Sequence, residues 1–326
     1  MPNQLAIKTT VRSPISWFGR FRQWEASGVV FALVVLCVLL SLATPNFFSL
    51  TNVPIVLRNA SFVGLVALGQ TLVLLVGGID LSVGAIAGLS AIIGALMLTV
   101  LGIHPYAVIP LTCLFGLGLG FANAVFVAKL RLNPFIVTLA SGEMFAGANL
   151  VITQGYPIRP LGSDFRFFGQ GEVFGIPAPV IVFFGAGIVL WWMLTKTKFG
   201  RNIYAVGGNR DAAVLVGIRV WRVEFAVYGL AGAFAALAGI LYASRMDAAQ
   251  PSVGEGWMLS AITAAIIGGT SLRGGEGTIL GTIFGELLLT VLQNGTVLLN
   301  VSGYWQRLIV GSVVLVAILV DLLRRK

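Results

Sequence analysis

The chain has 326 residues, of which 57% are hydrophobic and only 10% are charged, with a formal net charge of +9. Soluble domains carry about 25% charged residues, so this composition excludes an ordinary soluble enzyme, a disordered chain and a coiled coil. Several apolar segments are long enough to cross a bilayer, which takes about 20 helical residues. We therefore predict an all-α fold, a polytopic transmembrane helical bundle.

Apolar segments predict about ten membrane spans, with broken or re-entrant segments among them. They cover approximately residues 28–43, 60–77, 83–101, 106–128, 135–153, 178–195, 223–243, 257–269, 277–295 and 305–323. The segment at 257–269 is short for a full crossing, so it is predicted to be broken or half-inserted. Residues 1–27 are predicted to form a cytoplasmic tail, and residues 28–326 a single transmembrane domain.

The basic residues predict the orientation of these spans. With the N-terminus in the cytoplasm, 16 of the 21 Lys and Arg residues fall on the cytoplasmic side. Because such a bias marks cytoplasmic loops, both termini are predicted to be cytoplasmic, and the charge of +9 needs no nucleic-acid partner. Of the two long loops, 154–177 is then a periplasmic cap or partner-docking surface, and 196–222 is cytoplasmic.

The chain lacks the residue sets that covalent chemistry or metal binding would need. Cys37 and Cys113 lie in apolar runs, and His104 is the only histidine, so neither a disulfide framework nor a metal site is predicted. None of the five lysines follows a glycine, which excludes the phosphate-binding loop of an ATPase. The sequence therefore predicts a membrane protein that is not an enzyme and has no cofactor of its own.

The cytoplasmic loop contains the segment GGNRDAAVLVGI at residues 207–218. Gly207 and Gly208 predict a turn, after which Asn209 is predicted to cap a short helix through its side-chain oxygen. Asp211 adds negative charge at the positive end of the helix dipole. The rest of this helix is apolar although it lies outside the bilayer, so it is predicted either to enter a groove of another protein or to pack onto the cytoplasmic rim of its own chain.

Polar residues recur every fourth position in the predicted span 277–295. They are Thr278, Thr282, Glu286, Thr290 and Asn294. On a helix this spacing gives a slowly rotating polar stripe, and glycines at the same interval allow another helix to pack closely beside it. An acid inside the membrane suggests function, so the stripe from Thr282 onward is predicted to line a substrate pathway. A buried structural acid is the alternative for Glu286.

Glu143 is a second acid inside a predicted span, 135–153. Its helix neighbours Ala140, Ala146 and Gly147 are small, so this face is predicted to lie against protein and not against lipid. We place Glu143 in the predicted substrate pathway for the same reason as the acid of the polar stripe.

The segment GGIDLSVG, residues 77–84, interrupts two apolar spans. Gly77 and Gly78 permit a helix break, which a membrane tolerates only where protein or water covers it. Asp80 and Ser82 are predicted to cap the helix that follows. Direct contact with the substrate is the alternative for this motif.

Six segments in a fixed order are similar to those of a known family. They are GGIDLSVG (77–84), NPFIVTLA (133–140), FGRNIYAVGGN (199–209), RDAAVLVGI (210–218), GGTSLRGGEGTILGT (268–282) and QNGTVLL (293–299). The fourth resembles the coupling segment of ABC importer membrane subunits, with Asp211 in place of Glu. Together they resemble the permease subunits of bacterial ABC sugar importers of the ribose, xylose, arabinose and galactose type, from about residue 28 to the C-terminus.

This resemblance implies a multi-pass permease subunit in the bacterial inner membrane that moves a monosaccharide or related polyol by alternating access. It implies a second permease subunit, in a homodimer or heterodimer, two copies of a separate ATPase that holds ATP and Mg, and a periplasmic sugar-binding protein. It further implies that residues 207–218 contain the coupling helix. The residues implied to contact the ATPase are Asn209, Asp211, Ala212, Ala213, Gly217 and Ile218.

Glu143 and Glu286 both depart from the pattern of this family, so no family role is carried onto them. They also support the alternative function, a proton-coupled secondary sugar transporter in which these two acids relay protons. The apolar helix of the cytoplasmic loop and the ordered motifs favour the ABC importer. The identity of the sugar stays open.

Overall fold

A computed structural model describes residues 27–302 and six more residues of the last predicted span, all six helical. Those six are Trp305, Leu308, Ile309, Gly311, Ser312 and Leu315. The predicted N-terminal tail, most of the predicted tenth span and the C-terminus lie outside the described residues. The predicted orientation of the two termini lies there too.

Residues 27–302 form α-helices joined by short connections. The helices are α1 Ser27–Ala43, α2 Asn52–Leu75, α3 Val83–Thr99, α4 Pro105–Ala124, α5 Pro134–Thr153, α6 Ser163–Gln170, α7 Ala178–Lys196, α8 Lys198–Gly208, α9 Arg210–Leu215, α10 Val220–Met246, α11 Trp257–Ile267 and α12 Ile279–Leu298. A π-helix, Val125–Lys129, extends α4. Two short strands, β1 Glu172–Val173 and β2 Ile176–Pro177, pair as an antiparallel hairpin.

Five of these helices are long and apolar enough to cross a membrane. They are α2, α4 with its π-helical extension, α5, α7 and α10. Helices α1, α3 and α11 are apolar but shorter, and α11 has only 11 residues, as expected for a broken segment. The fold is therefore that of a polytopic helical membrane protein.

Helices α2 and α10 form the centre of the bundle. Most of α2 is buried, and α10 packs against α2, α3 and α4. At the crossing with α4, a Cβ on Gly120 would lie 2.2 Å from the carbonyl oxygen of Tyr228, so only glycine allows this approach. Close backbone packing of this kind holds helices together in a membrane, where lipid is as apolar as the side chains.

Two loops, residues 76–82 and 268–278, meet residues 207–209 at one end of the bundle, which we call the glycine-rich end. The predicted turn at Gly207 and Gly208 is wrong, because both residues lie in the last turn of α8. The Gly275 amide donates to the carbonyl of Leu75 at 2.9 Å, and the Tyr204 hydroxyl donates to the carbonyl of Gly277 at 2.8 Å. The loops are thus tied directly to the end of α2 and to α8.

The opposite end, which we call the cap end, consists of residues 154–177 and 247–256. Its backbone is ordered by helix α6 and the β1–β2 hairpin, neither of which was predicted. Ile158 and Ala249 exchange two backbone hydrogen bonds of 3.0 Å, and the Arg166 guanidinium lies 2.7 Å from a carboxylate oxygen of Asp247. These contacts hold residues 154–177 against residues 247–256.

Candidate functional site

Helix α9 is a single short turn at the glycine-rich end. The side-chain oxygen of Asn209 accepts a hydrogen bond from the Ala212 amide at 2.9 Å, which confirms the predicted cap. The helix ends where Gly217 takes a left-handed φ of +83°, a conformation that favours glycine.

The outer face of this turn is apolar. Val214, Leu215 and Val216 are 57%, 87% and 75% exposed. Consecutive exposed apolar side chains mark a contact surface, so these three side chains can be covered by another protein. The sequence placed them on an apolar helix but did not single them out.

The residues predicted to contact an ATPase divide into two groups. Asn209, Asp211, Ala212 and Gly217 are exposed, as is Gly208. Ala213 is only 2% exposed because it packs inward against the bundle, and Ile218 is half-buried. A Cβ on Gly207 would lie 1.8 Å from the carbonyl oxygen of Leu75, so Gly207 serves close packing and not external contact.

An ion pair joins α9 to the central helix α10. Arg210 donates to both carboxylate oxygens of Glu224, at 2.5 and 3.3 Å. Glu224 is 4% exposed, whereas half of the Arg210 side chain is exposed. The pair borders a cavity of about 750 Å³ that extends to Gly77 and Arg131, and it adds a polar contact to the apolar contact that Ala213 makes with the bundle.

The predicted polar stripe of α12 lies in a closed interface with α2. The hydroxyls of Thr282 and Thr71 are 2.7 Å apart, and Thr290 donates to Glu286 at 2.9 Å. Glu286 is 2% exposed, and the stripe lines neither the cavity beside α9 nor the groove beside α5 described below. In this conformation the stripe therefore packs two helices together.

The far end of the stripe makes the same kind of contact. The side-chain amides of Asn52 and Asn294 exchange two hydrogen bonds, of 3.0 and 2.8 Å. With the threonine pair, this gives α2 and α12 polar contacts near both ends of their interface.

The 77–84 segment is held by hydrogen bonds to three helices. One Asp80 oxygen accepts from the Ser82 amide and hydroxyl, at 2.8 and 2.6 Å. The Ser82 hydroxyl in turn accepts from Asn123 of α4 at 2.8 Å, and Thr138 of α5 accepts from the Leu81 amide at 3.0 Å.

The side-chain amide of Gln70 forms two hydrogen bonds with the backbone of Asp80. In the orientation that allows both, its nitrogen donates to the Asp80 carbonyl and its oxygen accepts from the Asp80 amide. The capping prediction is wrong in detail, because Ser82 occupies the cap position of α3 without accepting from its first turn. The Ser82 hydroxyl instead accepts from Asn123 and so attaches the helix break to α4.

Glu143 lies on α5, at an open groove of about 490 Å³. Helix α3, helix α5 and the segment 251–256 form its walls. The prediction that this face packs against protein is wrong for the chain taken alone, because Glu143 is exposed. Its small neighbours leave space for a groove instead of receiving another helix.

Metal binding has no support in the part of the chain that the structure describes. Those residues contain no group of three or more His, Cys, Asp or Glu side chains placed to hold an ion.

A family model described as "Branched-chain amino acid transport system / permease component" matches residues 52–319. The match includes α9, the 77–84 break, α5 and α12. The chain belongs to this permease family. The open groove, the closed stripe and the exposed helix are thus features of a transport permease.

Curated relatives of this permease are named for sugars. A ribose import permease protein of Bacillus subtilis (strain 168) is 45% identical over 90% of this chain and 92% of its own length. The ribose import permease protein of Escherichia coli (strain K12) is 41% identical over 89% and 91%. The D-allose transport system permease protein of the same strain is 36% identical over 93% of each. No solved structure matches the permease.

Proposed function

We propose that this permease is the membrane subunit of an ATP-binding-cassette importer that moves a monosaccharide or related polyol across the bacterial inner membrane. The exposed apolar turn of α9 carries the proposal, since Val214, Leu215 and Val216 have no partner surface within the described chain. An ATPase groove would cover them, and alternating access would follow from ATP binding on that partner.

The proposed topology places the glycine-rich end in the cytoplasm and the cap end in the periplasm, with both termini cytoplasmic. ATP and Mg belong to the ATPase subunits, and a periplasmic binding protein delivers sugar to the cap end. A second permease subunit, in a homodimer or heterodimer, completes the path through the membrane. Residues 196–222 form the coupling loop of the transmembrane domain 28–326.

Ribose is the first sugar to test, because the two relatives with 45% and 41% identity are named ribose import permeases. A proton-coupled transporter is not favoured, since the relatives compared are named as permeases of import or transport systems, one of them explicitly an ABC transporter. The two functions differ in their energy source, so one experiment separates them.

The test is ATP-driven uptake in proteoliposomes that contain the permease together with its ATPase subunits and its binding protein. Ribose uptake that requires ATP and survives a proton uncoupler supports the proposal. Uptake that stops with the uncoupler while ATP is present overturns it in favour of proton coupling.

A variant pair tests the docking surface itself. Leu215→Ser should release the ATPase during co-purification, because it removes the most exposed apolar side chain of α9. Phe174→Ser is the matched control, since Phe174 is a fully exposed apolar residue at the cap end. Equal ATPase recovery with both variants would count against α9 as the docking helix.

A further inference from the structure

The groove beside α5 is built by close backbone packing. The segment 251–256 folds back onto α3, where a Cβ on Gly84 would lie 2.5 Å from the carbonyl oxygen of Gly254. Gly254 has a φ of +88°, and its own Cβ would lie 2.0 Å from the Gly84 carbonyl oxygen. Two facing glycines therefore place this segment directly on the helix, and its turn forms one wall of the groove.

Three polar side chains of the groove carry acceptor oxygens, and Ser252 adds a hydroxyl that can donate or accept. Glu143 lines it on α5, and Glu255 lines it on the segment 251–256. Asn149 also lines it and is 3% exposed. No Lys or Arg side chain is among the residues that line the groove. Two carboxyl groups thus give this site an acidic character without a neighbouring cation.

Asn149 has an acceptor that the described chain does not use. Its amide nitrogen donates to the carbonyl of Pro251 at 2.9 Å, which fixes the orientation of the side chain. Its side-chain oxygen is buried without a hydrogen-bond partner in the described structure. A buried polar atom without a partner is unfavourable, so this oxygen favours a ligand that brings a donor.

The position of Glu143 along α5 disfavours contact of the groove with lipid. Glu143 lies in the middle of α5, a candidate membrane span of which only 11% is buried within the described chain. An acid near the centre of a bilayer is strongly unfavourable when lipid surrounds it. Water, substrate or a second subunit is therefore expected on this side of α5.

The geometry points to this groove as part of the sugar path, in which Glu143, Asn149 and Glu255 accept hydrogen bonds from the hydroxyls of a neutral polyol and repel anionic sugars. The inference rests on the proposed function and locates its substrate site. Hydroxyls donate well to carboxylate and amide oxygens, whereas a sugar phosphate or sugar acid would meet two carboxyl groups and no cation. The volume of about 490 Å³ lies in the range of small-molecule sites, about 300–1,000 Å³.

Thiol labelling tests the groove without depending on transport. The background is full-length permease with Cys37→Ala and Cys113→Ala. A single cysteine is then introduced by Ala146→Cys, in the groove, or by Met144→Cys, where the native side chain is 70% exposed and does not line the groove. Membranes made permeable on both sides are treated with cationic and anionic methanethiosulfonates of equal size. We expect the cation-to-anion ratio of labelling rates at the groove cysteine to be about ten-fold higher than that of a free thiol in solution, because carboxyl groups concentrate cations in a cleft.

Removing the acids should remove this preference. Adding Glu143→Gln and Glu255→Gln to the Ala146→Cys protein is expected to bring the cation-to-anion ratio of labelling rates close to that of the free thiol in solution. Three results would each overturn the inference. The groove cysteine does not react, it reacts no faster than the cysteine of the Met144→Cys protein, or the two substitutions leave the cation-to-anion rate ratio unchanged.

Uptake by the whole complex tests the role of the groove in transport. Glu143→Gln and Asn149→Ala are each expected to lower neutral-sugar uptake about ten-fold, the equivalent of one hydrogen bond to a charged or buried group. Ala146→Phe should block uptake by filling the groove, while ATPase co-purification stays normal. Met144→Ala is the control and should transport as wild type does.

The two proposals fail in different ways. If the wild-type complex imports no sugar in the presence of ATP, the proposed function fails, and the labelling result alone decides whether the groove is an acidic aqueous site. If the wild-type complex imports sugar and all three groove variants do so at the same rate, the groove inference is overturned and the importer function stands.

Discussion

Arg210 and Glu224 connect the exposed turn α9 to the buried centre of the bundle. The arginine contacts both oxygens of a carboxylate that is 4% exposed on α10. Two hydrogen bonds therefore link α9 to the central helix. Such paired hydrogen bonds fix direction as well as distance.

Removing Arg210 should uncouple α9 from α10. Arg210→Ala leaves a buried carboxylate without its partner, and we expect the free energy of unfolding to fall by about 1–3 kcal/mol, less than for a fully buried pair because half of the arginine is exposed. Thermal unfolding in detergent measures this loss. ATPase activity in the complex should respond less to substrate-loaded binding protein.

A double-mutant cycle provides the control. Glu224→Gln with Arg210→Gln should be more stable than Arg210→Gln alone, since the uncompensated charge is gone. Additive effects of the two substitutions would contradict an energetic link between the residues.

Gly217 ends α9 in a backbone conformation that side chains rarely adopt. Gly217→Arg should leave the permease in the membrane but abolish ATPase docking, because the φ of +83° is strained and the new charge lies beside the apolar surface. Gly217→Asn is the matched variant, since asparagine tolerates left-handed backbone, and it should retain more of the ATPase. Normal co-purification of the ATPase with Gly217→Arg would refute the docking role.

The closed stripe predicts that Glu286 acts in packing. Glu286→Gln should leave sugar uptake at the wild-type rate, because glutamine keeps an oxygen that can accept from Thr290. Initial uptake rates with several sugars measure the effect. A changed order of preference among sugars would show that α12 opens onto the substrate path during the transport cycle.

The paired amides of α2 and α12 should contribute modestly to stability. Asn294→Ala is expected to lower the free energy of unfolding by about 1 kcal/mol, the usual scale for side-chain hydrogen bonds between membrane helices. Unfolding in detergent measures the change. Asn52→Ala should cost a similar amount, and the double variant should cost little more than either alone, since both substitutions break the same pair.

The cap end should lose stability in acid. The hydrogen bond from Arg166, together with backbone donors, lowers the pKa of Asp247 from its ordinary value of 3.8. Because the folded-state pKa is the lower one, the stabilisation is complete above 3.8 and is lost as the pH falls through the lowered pKa. Limited proteolysis of residues 154–177 between pH 7 and pH 3 measures this loss.

Asp247→Asn is the control for the acid effect. Asparagine also tolerates the left-handed φ of 51° at this position but cannot ionise. The variant should be cut faster than wild type at neutral pH and show a weaker dependence on acid. An identical acid response in both proteins would place the sensitive group elsewhere.

Local chemistry made part of this structure predictable. The cap at Asn209 involves only the four consecutive residues 209–212, so it follows from the sequence. The same holds for the helix face that the spacing of Thr282, Glu286 and Thr290 defines. Which helix covers that face is a long-range property. The sequence therefore predicted the stripe but not the residues of α2 that contact it, Thr71 and Asn52. The role of the stripe as a substrate pathway stays a prediction.

The groove was unpredictable for a related reason. Small residues around Glu143 indicate close packing or empty space equally well, and only the return of the segment 251–256 onto Gly84 decides between them. Similarly, apolarity alone could not show that Ala213 faces inward while Leu215 faces outward, because a six-residue helix is too short to define a face by periodicity.

Gly207 brings the end of α8 against the last carbonyl of α2. The Gly275 amide donates to the same carbonyl oxygen of Leu75, so this one atom joins α8, α2 and the segment 268–278. Helix α9 begins three residues later, at Arg210, and its position therefore depends on this junction. A single methyl group at position 207 would force these elements apart, so substitutions there should displace α9 and the breaks at 76–82 and 268–278 together.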